Sequence, residues 1–386
     1  MKKLRILHVA YFDDTYGSAQ CLYEIIESEL ASGIIEPVVL NPVHNKMNEF
    51  CDKRKVENYS IYYEPFMYPF HDSRPLADLK YVGKKLIYFS SKEKAIKLIE
   101  KRIDMNHIDI IHTNNCLLDI GLRLSKLYNI PHIWHLRENG LKHFNYHPLV
   151  NKYADYMNSA LTTFVAVSNS VKNEWIKLGL DEKKFEVIYD GVLIPDELKS
   201  FSQNKDCFRI VMTGGIAKEK GQEIVIHAIS ELADNVKSKI SLDIWGTGNK
   251  HYIDGLSKFI QDNKINVNFR GFTDNIWNIL PDYDLAINCS VMEAFGRSTI
   301  EFLACGLPVI ASNCGSNPEL ITKKEYGLLF DRNNISDIKN KIMEIMENKE
   351  FYKLTMRERS EYARRNFSSK TSSDKFIDLA LREKRS

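Results

Sequence analysis

Short apolar runs alternate with longer segments whose apolar residues recur every three to four positions along most of this chain. The runs that predict strands are 4–11, 37–41, 108–113, 131–136, 163–168 and 186–190 in the first half, and 209–213, 241–245, 267–270, 285–289, 308–311 and 327–330 in the second. Strands this apolar, each followed by an amphipathic helix, are typical of parallel sheets covered on both faces. The pattern predicts an α/β protein with two doubly wound, Rossmann-like domains.

The alternation breaks once, in the polar segment 191–206 around Pro195. We therefore predict an N-terminal domain over 1–190, a linker over 191–206 and a C-terminal domain over 207–365. The remaining segment, 366–386, has a charged helical pattern and is expected to pack back on the N-terminal domain. Ligands of open α/β sheets bind beyond the carboxyl ends of the strands. We expect the two sheets to face each other across a cleft, with the chemistry on the loops that follow the strands.

The loop at 290–306 carries the strongest chemical signal. It follows an apolar strand, and Gly296 allows the backbone to approach a ligand just before a predicted helix begins at Arg297. The first backbone N–H groups of that helix, at Arg297, Ser298 and Thr299, form an anion site by geometry and dipole.

Two glutamates flank this helix start. Glu293 precedes the turn, and Glu301 lies within the helix among the apolar residues Ile300 and Phe302. A buried carboxylate needs hydrogen-bond partners, and an ionised one accepts two hydrogen bonds from a vicinal diol such as a ribose. A phosphate site between two such carboxylates fits a sugar nucleotide, whereas the alternative is a solvated Glu301 on a surface helix.

The same segment resembles the E-x7-E signature of glycosyltransferase family 4, whose members are retaining enzymes of the GT-B fold. Residues 306–311, Gly315 and residues 318–320 also match that family's pattern. The resemblance implies that Glu301 binds the donor ribose and that Glu293 lies by the transferred sugar. It assigns sugar and phosphate contacts to the backbone of Phe295, Gly296 and Arg297.

A second loop, 214–221, precedes an amphipathic helix, and Lys220 lies where it can neutralise a diphosphate. The loop resembles the R-x4-K phosphate clamp of the family, but Gly215 stands where the family has arginine. Either Arg297 supplies the missing charge or the leaving group is stabilised less. Gly246, after the strand 241–245, aligns with a loop that lines the base pocket in the family, although a tight turn explains it equally well.

Two N-terminal positions complete the candidate site. Gly17, after the first strand, resembles one glycine of the family's Gly-Gly loop, with Ser18 in place of the other. His135 ends the strand 131–136, where the family often has a histidine near the reacting sugar; it would contact a sugar hydroxyl or help to stabilise charge. His112 is interpreted as structural, and Asp190-Gly191-Val192 as the hinge between the domains.

No metal or other cofactor is expected. Asp282 and Asp284 match the D-x-D pattern that holds a divalent ion in other sugar transferases, but they precede a buried strand. The predicted phosphate site already has a helix start and Lys220 to neutralise charge. The seven scattered cysteines form no CxxC pair and are interpreted as reduced thiols of a cytoplasmic protein.

The net charge and the lengths of the apolar stretches limit the kinds of partner that the protein is expected to bind. A net charge of +2 argues against bulk binding of nucleic acid. No stretch of eighteen apolar residues predicts a membrane span. Residues 66–94 mix aromatic residues with lysines, which fits peripheral contact with an anionic membrane face and equally fits an ordinary half-exposed helix.

The sequence therefore predicts a glycosyltransferase that moves a hexose from a nucleotide-diphosphate sugar to a saccharide or polyprenyl-linked acceptor. A role in cell-surface polysaccharide synthesis and retention of the anomeric configuration follow from the resemblance alone. Two alternatives remain: a GT-B epimerase, and a non-catalytic partner subunit that binds sugar nucleotide, which Gly215 favours.

Overall fold

The computed structural model describes residues 3–12, 17–69, 74–141, 145–198 and 207–384, with 74–78 as backbone only. The chain forms two compact units. Unit 1 contains the residues up to Gly191 together with the C-terminal segment from Ser369, and unit 2 spans Val192–Ser368. The chain therefore passes between the units twice, first within the predicted hinge 190–192.

Unit 1 is a parallel sheet covered by helices on both faces. Its elements are β1 (Leu4–Val9), α1 (Gly17–Ser32), β2 (Ile35–Asn41), α2 (Lys46–Lys53), β3 (Glu57–Ser60), β4 (Met67–Pro69), α3 (Arg74–Arg102), β5 (Ile110–Thr113), α4 (Ile120–Tyr128), β6 (His132–Leu136), β7 (Tyr146–Pro148), α5 (Tyr153–Met157), β8 (Thr162–Ala166), α6 (Asn169–Lys177) and β9 (Phe185–Val187). Seven strands lie in the order β3-β2-β1-β5-β6-β8-β9, and β4 pairs with β7 in a small antiparallel ribbon.

Unit 2 repeats the same design. Its elements are β10 (Phe208–Thr213), α7 (Gln222–Ser230), α8 (Asp234–Lys237), β11 (Ile240–Trp245), α9 (Lys250–Asp262), β12 (Val267–Gly271), α10 (Ile276–Ile279), β13 (Leu285–Asn288), α11 (Arg297–Ala304), β14 (Val309–Ser312), α12 (Asn317–Leu320), β15 (Gly327–Phe330), α13 (Ile335–Glu347), α14 (Lys349–Leu354) and α15 (Met356–Phe367). The six parallel strands lie in the order β12-β11-β10-β13-β14-β15. Two parallel-sheet, Rossmann-like units confirm the predicted fold class.

The last helix, α16 (Ser369–Glu383), belongs to unit 1. Its Phe376, Ile377 and Leu379 enter the same hydrophobic cluster as Ile6 of β1 and Ile25 of α1. Since these side chains are nearly inaccessible to solvent, the helix is part of the core of unit 1 and not a surface appendage.

A buried arginine fixes α15 within unit 2. Arg359 is 1 % exposed, and its guanidinium donates hydrogen bonds to the carbonyl oxygens of Gly306, Glu325 and Tyr352. Burial lowers its pKa to about 10. Because a buried cation is stable only when its donors are satisfied, these carbonyl groups hold the helix against the loop that follows α11.

Helix α3 is anchored along its inner face. The buried Tyr88 donates a hydrogen bond to the carboxylate of Asp119, which also accepts from Arg123 Nε at 2.7 Å and from Tyr156 Oη at 2.6 Å. Its outer face exposes Leu79, and further apolar residues follow it at helical spacing. None of the helices among the described residues is long and apolar enough to cross a membrane.

The sequence-based boundaries differ from the structure mainly at short, weakly apolar elements. The strand Glu57–Ser60 was missed because its sequence, ENYS, has no apolar pair, and it lies at the sheet edge. The predicted linker 191–206 belongs to unit 2 as far as residue 198, and 199–206 lie outside the described residues. Unit 2 ends at Ser368, where the sequence predicted a boundary at 365.

Candidate functional site

The site in unit 2 lies where the strand order reverses. β10 is the first strand of its sheet and lies between β11 and β13, so its following loop and the loop after β13 leave the sheet in opposite directions. Open α/β sheets bind ligands in the crevice beyond the carboxyl ends of such strands. The two loops are 214–221 and 289–296; the sequence analysis singled out 214–221 and 290–306.

A charged pair joins these two loops. Lys220 Nζ lies 2.8 Å from Glu293 Oε1, and the Ser290 hydroxyl donates a hydrogen bond to the same oxygen. The side chain of Lys220 is 40 % exposed and that of Glu293 is 14 % exposed. An ion pair open to solvent adds only about 0–1 kcal/mol to stability. The pair therefore sets the orientation of two groups more than it holds the fold.

Backbone contacts brace both loops around this pair. The Val291 N–H donates to Glu219 O at 2.7 Å. The Arg332 guanidinium reaches Cys289 O at 3.1 Å and Lys218 O at 3.2 Å. These bonds tie the loop after β10 to the loop after β13, so the positions of Lys220 and Glu293 are fixed by backbone and not by their own contact alone.

A third loop, between β14 and α12, supports the loop after β13 from its other side. The Ser316 N–H donates to Glu293 O at 3.0 Å, and the Ser316 hydroxyl donates to Phe295 O at 2.8 Å. A Cβ atom built on Gly315 would lie 2.3 Å from the same Glu293 oxygen. Ser316 was not predicted as a site residue, although its place directly after Gly315 in the family-like segment is a signal that was available.

Gly296 begins α11 in the left-handed region, with a φ of 87° that favours glycine. The N-cap residue is Gly296 itself, which has no side chain with which to cap the helix. The first N–H groups of a helix have no intrahelical partner, and they concentrate the positive end of the helix dipole. An anion at this point would meet Arg297 and Ser298, whose side chains are partly exposed.

Three of the predicted donor-binding residues could contact a ligand only through their backbone. Phe295 is 4 % exposed and its ring contacts Phe367, so its backbone is the available part. Gly215 and Gly246 have no side chains to offer. A Cβ atom on Gly246 would lie 1.8 Å from Gly214 O, which shows how closely the loops after β10 and β11 pack.

Gly215, by contrast, has open space around it. A Cβ atom built there would meet nothing within 4 Å. The absence of the family's arginine at this position therefore does not result from crowding by the described residues. The positive groups that the sequence predicted for the crevice are then Lys220, the start of α11 and the side chain of Arg297.

Glu301 lies in the second turn of α11 beside α15. Burial raises the pKa of the neighbouring Cys305 thiol to about 12, with a further upward contribution from Glu301 and a downward one from Arg364. Glu301 and Arg364 therefore share the environment of this thiol. The Glu301 side chain is partly exposed, so a ligand can reach it.

The D-x-D pattern lies at the opposite end of the sheet. Asp282 and Asp284 precede β13, whereas the loop with Glu293 follows it. The Asp284 carboxylate accepts a hydrogen bond from the Arg209 N–H at 2.9 Å and pairs with Lys349 at 2.8 Å. Within the described part of the chain, no group of three or more His, Cys, Asp or Glu residues is arranged to hold a metal ion.

The remaining predicted residues, Gly17 and His135, lie in unit 1. Gly17 begins α1 after β1, and the next residue, Ser18, accepts a hydrogen bond at its carbonyl oxygen from Asn114. His135 is 2 % exposed and its ring stacks on Phe376 of α16. Arg137, two residues further on, pairs with Asp190 and donates to Asn114, a cluster that the sequence did not reveal.

Comparison with known proteins identifies the family. The profile described as "Glycosyl transferases group 1" matches residues 194–366, and the one described as "Glycosyltransferase Family 4" matches residues 66–193. The chain belongs to glycosyltransferase family 4. This confirms the resemblance stated from the motifs, and the chain is a glycosyltransferase of the GT-B type.

Individual relatives agree with this assignment. An uncharacterized glycosyltransferase of Methanocaldococcus jannaschii is 27 % identical over 67 % of this chain and 71 % of its own. The poly(ribitol-phosphate) alpha-N-acetylglucosaminyltransferase of Staphylococcus aureus is 24 % identical over 80 % of this chain and 63 % of its own. The crystal structure of Anabaena HepE in complex with UDP superposes with a TM-score of 0.77 at 18 % identity, covering 98 % of this chain and 100 % of HepE.

Proposed function

We propose that this glycosyltransferase transfers a hexose from a nucleotide-diphosphate sugar held by unit 2. The observation that carries the proposal is the pairing of Lys220 with Glu293 at the switch point of the sheet, beside the start of α11. A nucleotide diphosphate needs positive charge at its phosphates, and a sugar needs acceptors for its hydroxyl groups. Lys220 and the helix start supply the first, and Glu293 and Glu301 supply the second.

The proposed reaction uses the loop contacts as they stand. The donor diphosphate binds at the start of α11 and attracts Lys220, which in the free protein is paired with Glu293. The acceptor hydroxyl oxygen bonds to the anomeric carbon, the bond from that carbon to the diphosphate oxygen breaks, and the hydroxyl proton passes to the departing diphosphate. Negative charge grows on the departing phosphate, where fixed donors and Lys220 stabilise it. Retention of configuration is proposed from family membership.

The named relatives support a nucleotide-sugar donor and a saccharide acceptor. HepE was crystallised with UDP and with UDP-glucose, and the S. aureus relative is named for transfer of N-acetylglucosamine to a poly(ribitol-phosphate). We therefore propose a saccharide or polyprenyl-linked acceptor and a part in building a cell-surface polysaccharide.

The experiment that tests this proposal incubates the purified chain with UDP- and GDP-sugars and measures release of the nucleotide diphosphate. We expect slow release with one donor and faster release once an acceptor is supplied. A donor that binds, as seen by a rise in melting temperature, but is never cleaved with any acceptor would favour a non-catalytic partner subunit. Gly215, where the family has arginine, is the observation that keeps this alternative open.

Activity should not depend on a divalent metal ion. Lys220 and the start of α11 provide the positive charge that a metal would otherwise supply, and Asp282 and Asp284 lie at the other end of β13. We expect EDTA to leave the rate of diphosphate release unchanged, measured against the same assay with added Mg²⁺. Loss of activity that Mg²⁺ restores would contradict this account of the phosphate site.

We also propose that helix α3 lies on an anionic membrane surface. Leu79, Val82, Leu86 and Phe89 recur at intervals of three or four residues, and all are well exposed, Leu86 by 67 %. Lys80, Lys84, Lys85, Lys92 and Lys94 lie along the same helix. A helix with an exposed apolar stripe and several lysines inserts its apolar side chains between lipids while its cations meet anionic headgroups.

Leu86→Glu should weaken binding to vesicles of phosphatidylglycerol and phosphatidylcholine by about tenfold or more, because a leucine side chain would no longer enter the lipid. Co-sedimentation with the vesicles measures this change. Leu127→Glu is the matched control, since Leu127 is 55 % exposed on α4. Equal loss in both variants, or none in either, would exclude this surface.

A further inference from the structure

A chain of four buried polar side chains crosses the sheet of unit 1. Glu29 Oε2 lies 2.9 Å from His8 Nε2, His8 Nδ1 lies 2.9 Å from His112 Nδ1, and His112 Nε2 lies 3.0 Å from His135 Nδ1. Glu29 comes from α1, and the three histidines come from the adjacent strands β1, β5 and β6. All four are at most 2 % exposed.

Strand register brings the three rings onto one face of the sheet. His8 pairs directly with His112, and His112 pairs with Ile133, two residues before His135. Side chains two residues apart on a strand share a face. Phe376 of α16 covers this face, with its ring centroid 4.7 Å from that of His112 and stacked on His135 at 17°. The rings are therefore enclosed and fixed in orientation.

Counting the protons shows in which direction the three hydrogen bonds are donated. Each of the three hydrogen bonds contains one proton, and the direction assigned here is the one in which Glu29 Oε2 accepts. His8 therefore donates from Nε2, which leaves its Nδ1 to accept from His112 Nδ1–H. His112 Nε2 then accepts from His135 Nδ1–H. In three neutral imidazoles, the nitrogen left without a proton is His135 Nε2.

Two further observations agree with this direction. Burial, together with the positive charge of Arg137, holds the pKa of His135 well below its ordinary value, and burial does the same for His112. The imidazoles of His112 and His135 are therefore neutral. His135 Nε2 is also buried and has no hydrogen-bond partner among the described residues. A buried polar atom without a partner costs free energy that a ligand can recover.

We propose that Glu29, His8 and His112 are positioning residues that hold His135 in its Nδ1–H tautomer, so that Nε2 accepts a hydrogen bond from a sugar hydroxyl. The identity of the hydroxyl as that of a sugar rests on the proposed function; the tautomer does not. The sequence left two roles open for His135, contact with a sugar hydroxyl and stabilisation of charge, and this proposal selects contact with a hydroxyl. A buried carboxylate that fixes a histidine tautomer acts in the same way in serine proteases.

Nitrogen-15 NMR of the full chain labelled at histidine tests the tautomer without any assay of activity. The His135 signals are identified by their loss in His135→Gln. We expect Nδ1 to show the shift of a protonated nitrogen and Nε2 that of an unprotonated one. A proton on Nε2 would mean that the chain of hydrogen bonds runs the other way or carries an extra proton, and would overturn the proposal.

His112→Phe tests the positioning role, because it removes the acceptor of His135 Nδ1–H and keeps a ring in the same place. We expect the His135 proton to move toward Nε2 and kcat for sugar transfer to fall roughly tenfold, the equivalent of one hydrogen bond, with the donor KM nearly unchanged.

His132→Gln is the matched control for this variant. His132 is equally buried on β6, but it contacts Thr113 and Thr162 and lies outside the chain of histidines. We expect it to leave the His135 tautomer unchanged. Equal loss of kcat in both variants would mean that the hydrogen-bonded histidines have a structural role only. If His135 shows the expected tautomer but the protein cleaves no nucleotide sugar, this inference stands and the proposed function is contradicted.

Discussion

Replacing Lys220 with alanine should lower the rate of sugar transfer by about 10²- to 10³-fold, because a fixed cation beside the leaving phosphate acts mainly in the transition state. Steady-state kinetics of nucleotide-diphosphate release measures this loss. The melting temperature should change little, since Lys220 is 40 % exposed and its contact with Glu293 is open to water. A large kinetic loss with a small loss of stability is the signature of a residue that acts on the donor.

Lys218→Ala is the matched control for this substitution. Lys218 lies in the same turn, carries the same charge and has an exposed side chain. It should retain nearly full activity, because the contacts that brace the loop are accepted by its backbone oxygen, from Arg332 and from the Gly221 N–H, and the substitution leaves that oxygen in place. If Lys218→Ala and Lys220→Ala lose activity equally, the general positive charge of the loop matters and the specific placement of Lys220 does not.

Replacing Glu301 with alanine should weaken binding of the nucleotide diphosphate by roughly 30- to 100-fold, the equivalent of hydrogen bonds to a charged group worth about 2–3 kcal/mol. The proposed partner of Glu301 is the ribose, which is present before and after transfer, so affinity should fall more than turnover. Isothermal titration with the free diphosphate measures the affinity.

Glu347→Ala serves as the comparison, because Glu347 is an exposed glutamate at the end of α13 in the same unit. It should bind the diphosphate as the unmodified protein does. Unchanged affinity in Glu301→Ala would remove Glu301 from the ribose. It would also assign the carboxylate to the α11–α15 contact, where it lies beside Cys305 and Arg364.

The fold was predictable because the central strands of both sheets are largely buried and therefore appear in the sequence as mostly apolar runs. Ile6 and Leu7 of β1, and Ile210 and Val211 of β10, are all inaccessible to solvent. The elements that escaped prediction lack this signal. The edge strand Glu57–Ser60 is only half-buried along its length, so nothing in its composition separates it from a loop.

The loops of the site were predictable for a different reason. Glycine followed by a helix start, between two acidic residues, is a local pattern that sequence displays directly. The contact of Lys220 with Glu293 joins residues 73 positions apart, and Ser316 reaches back to the carbonyl oxygen of Phe295. Such contacts depend on which strands are neighbours in the sheet, and a single sequence does not state strand order.

The chain of histidines shows the same limit more clearly. His135 was predicted as a site residue by its place at a strand end, and His112 was interpreted as structural on similar grounds. Neither position indicates that the two rings are hydrogen-bonded to each other and, through His8, to Glu29. That arrangement depends on the register of three strands and on α16 covering them.

Amide hydrogen exchange of residues 290–304, with and without a nucleotide diphosphate, tests the central claim most directly. The account places the phosphates against the first backbone N–H groups of α11. Saturating UDP or GDP, whichever raises the melting temperature, should therefore slow exchange at Arg297, Ser298 and the residues next to them. Slower exchange elsewhere in unit 2 with none at this helix start would contradict the account.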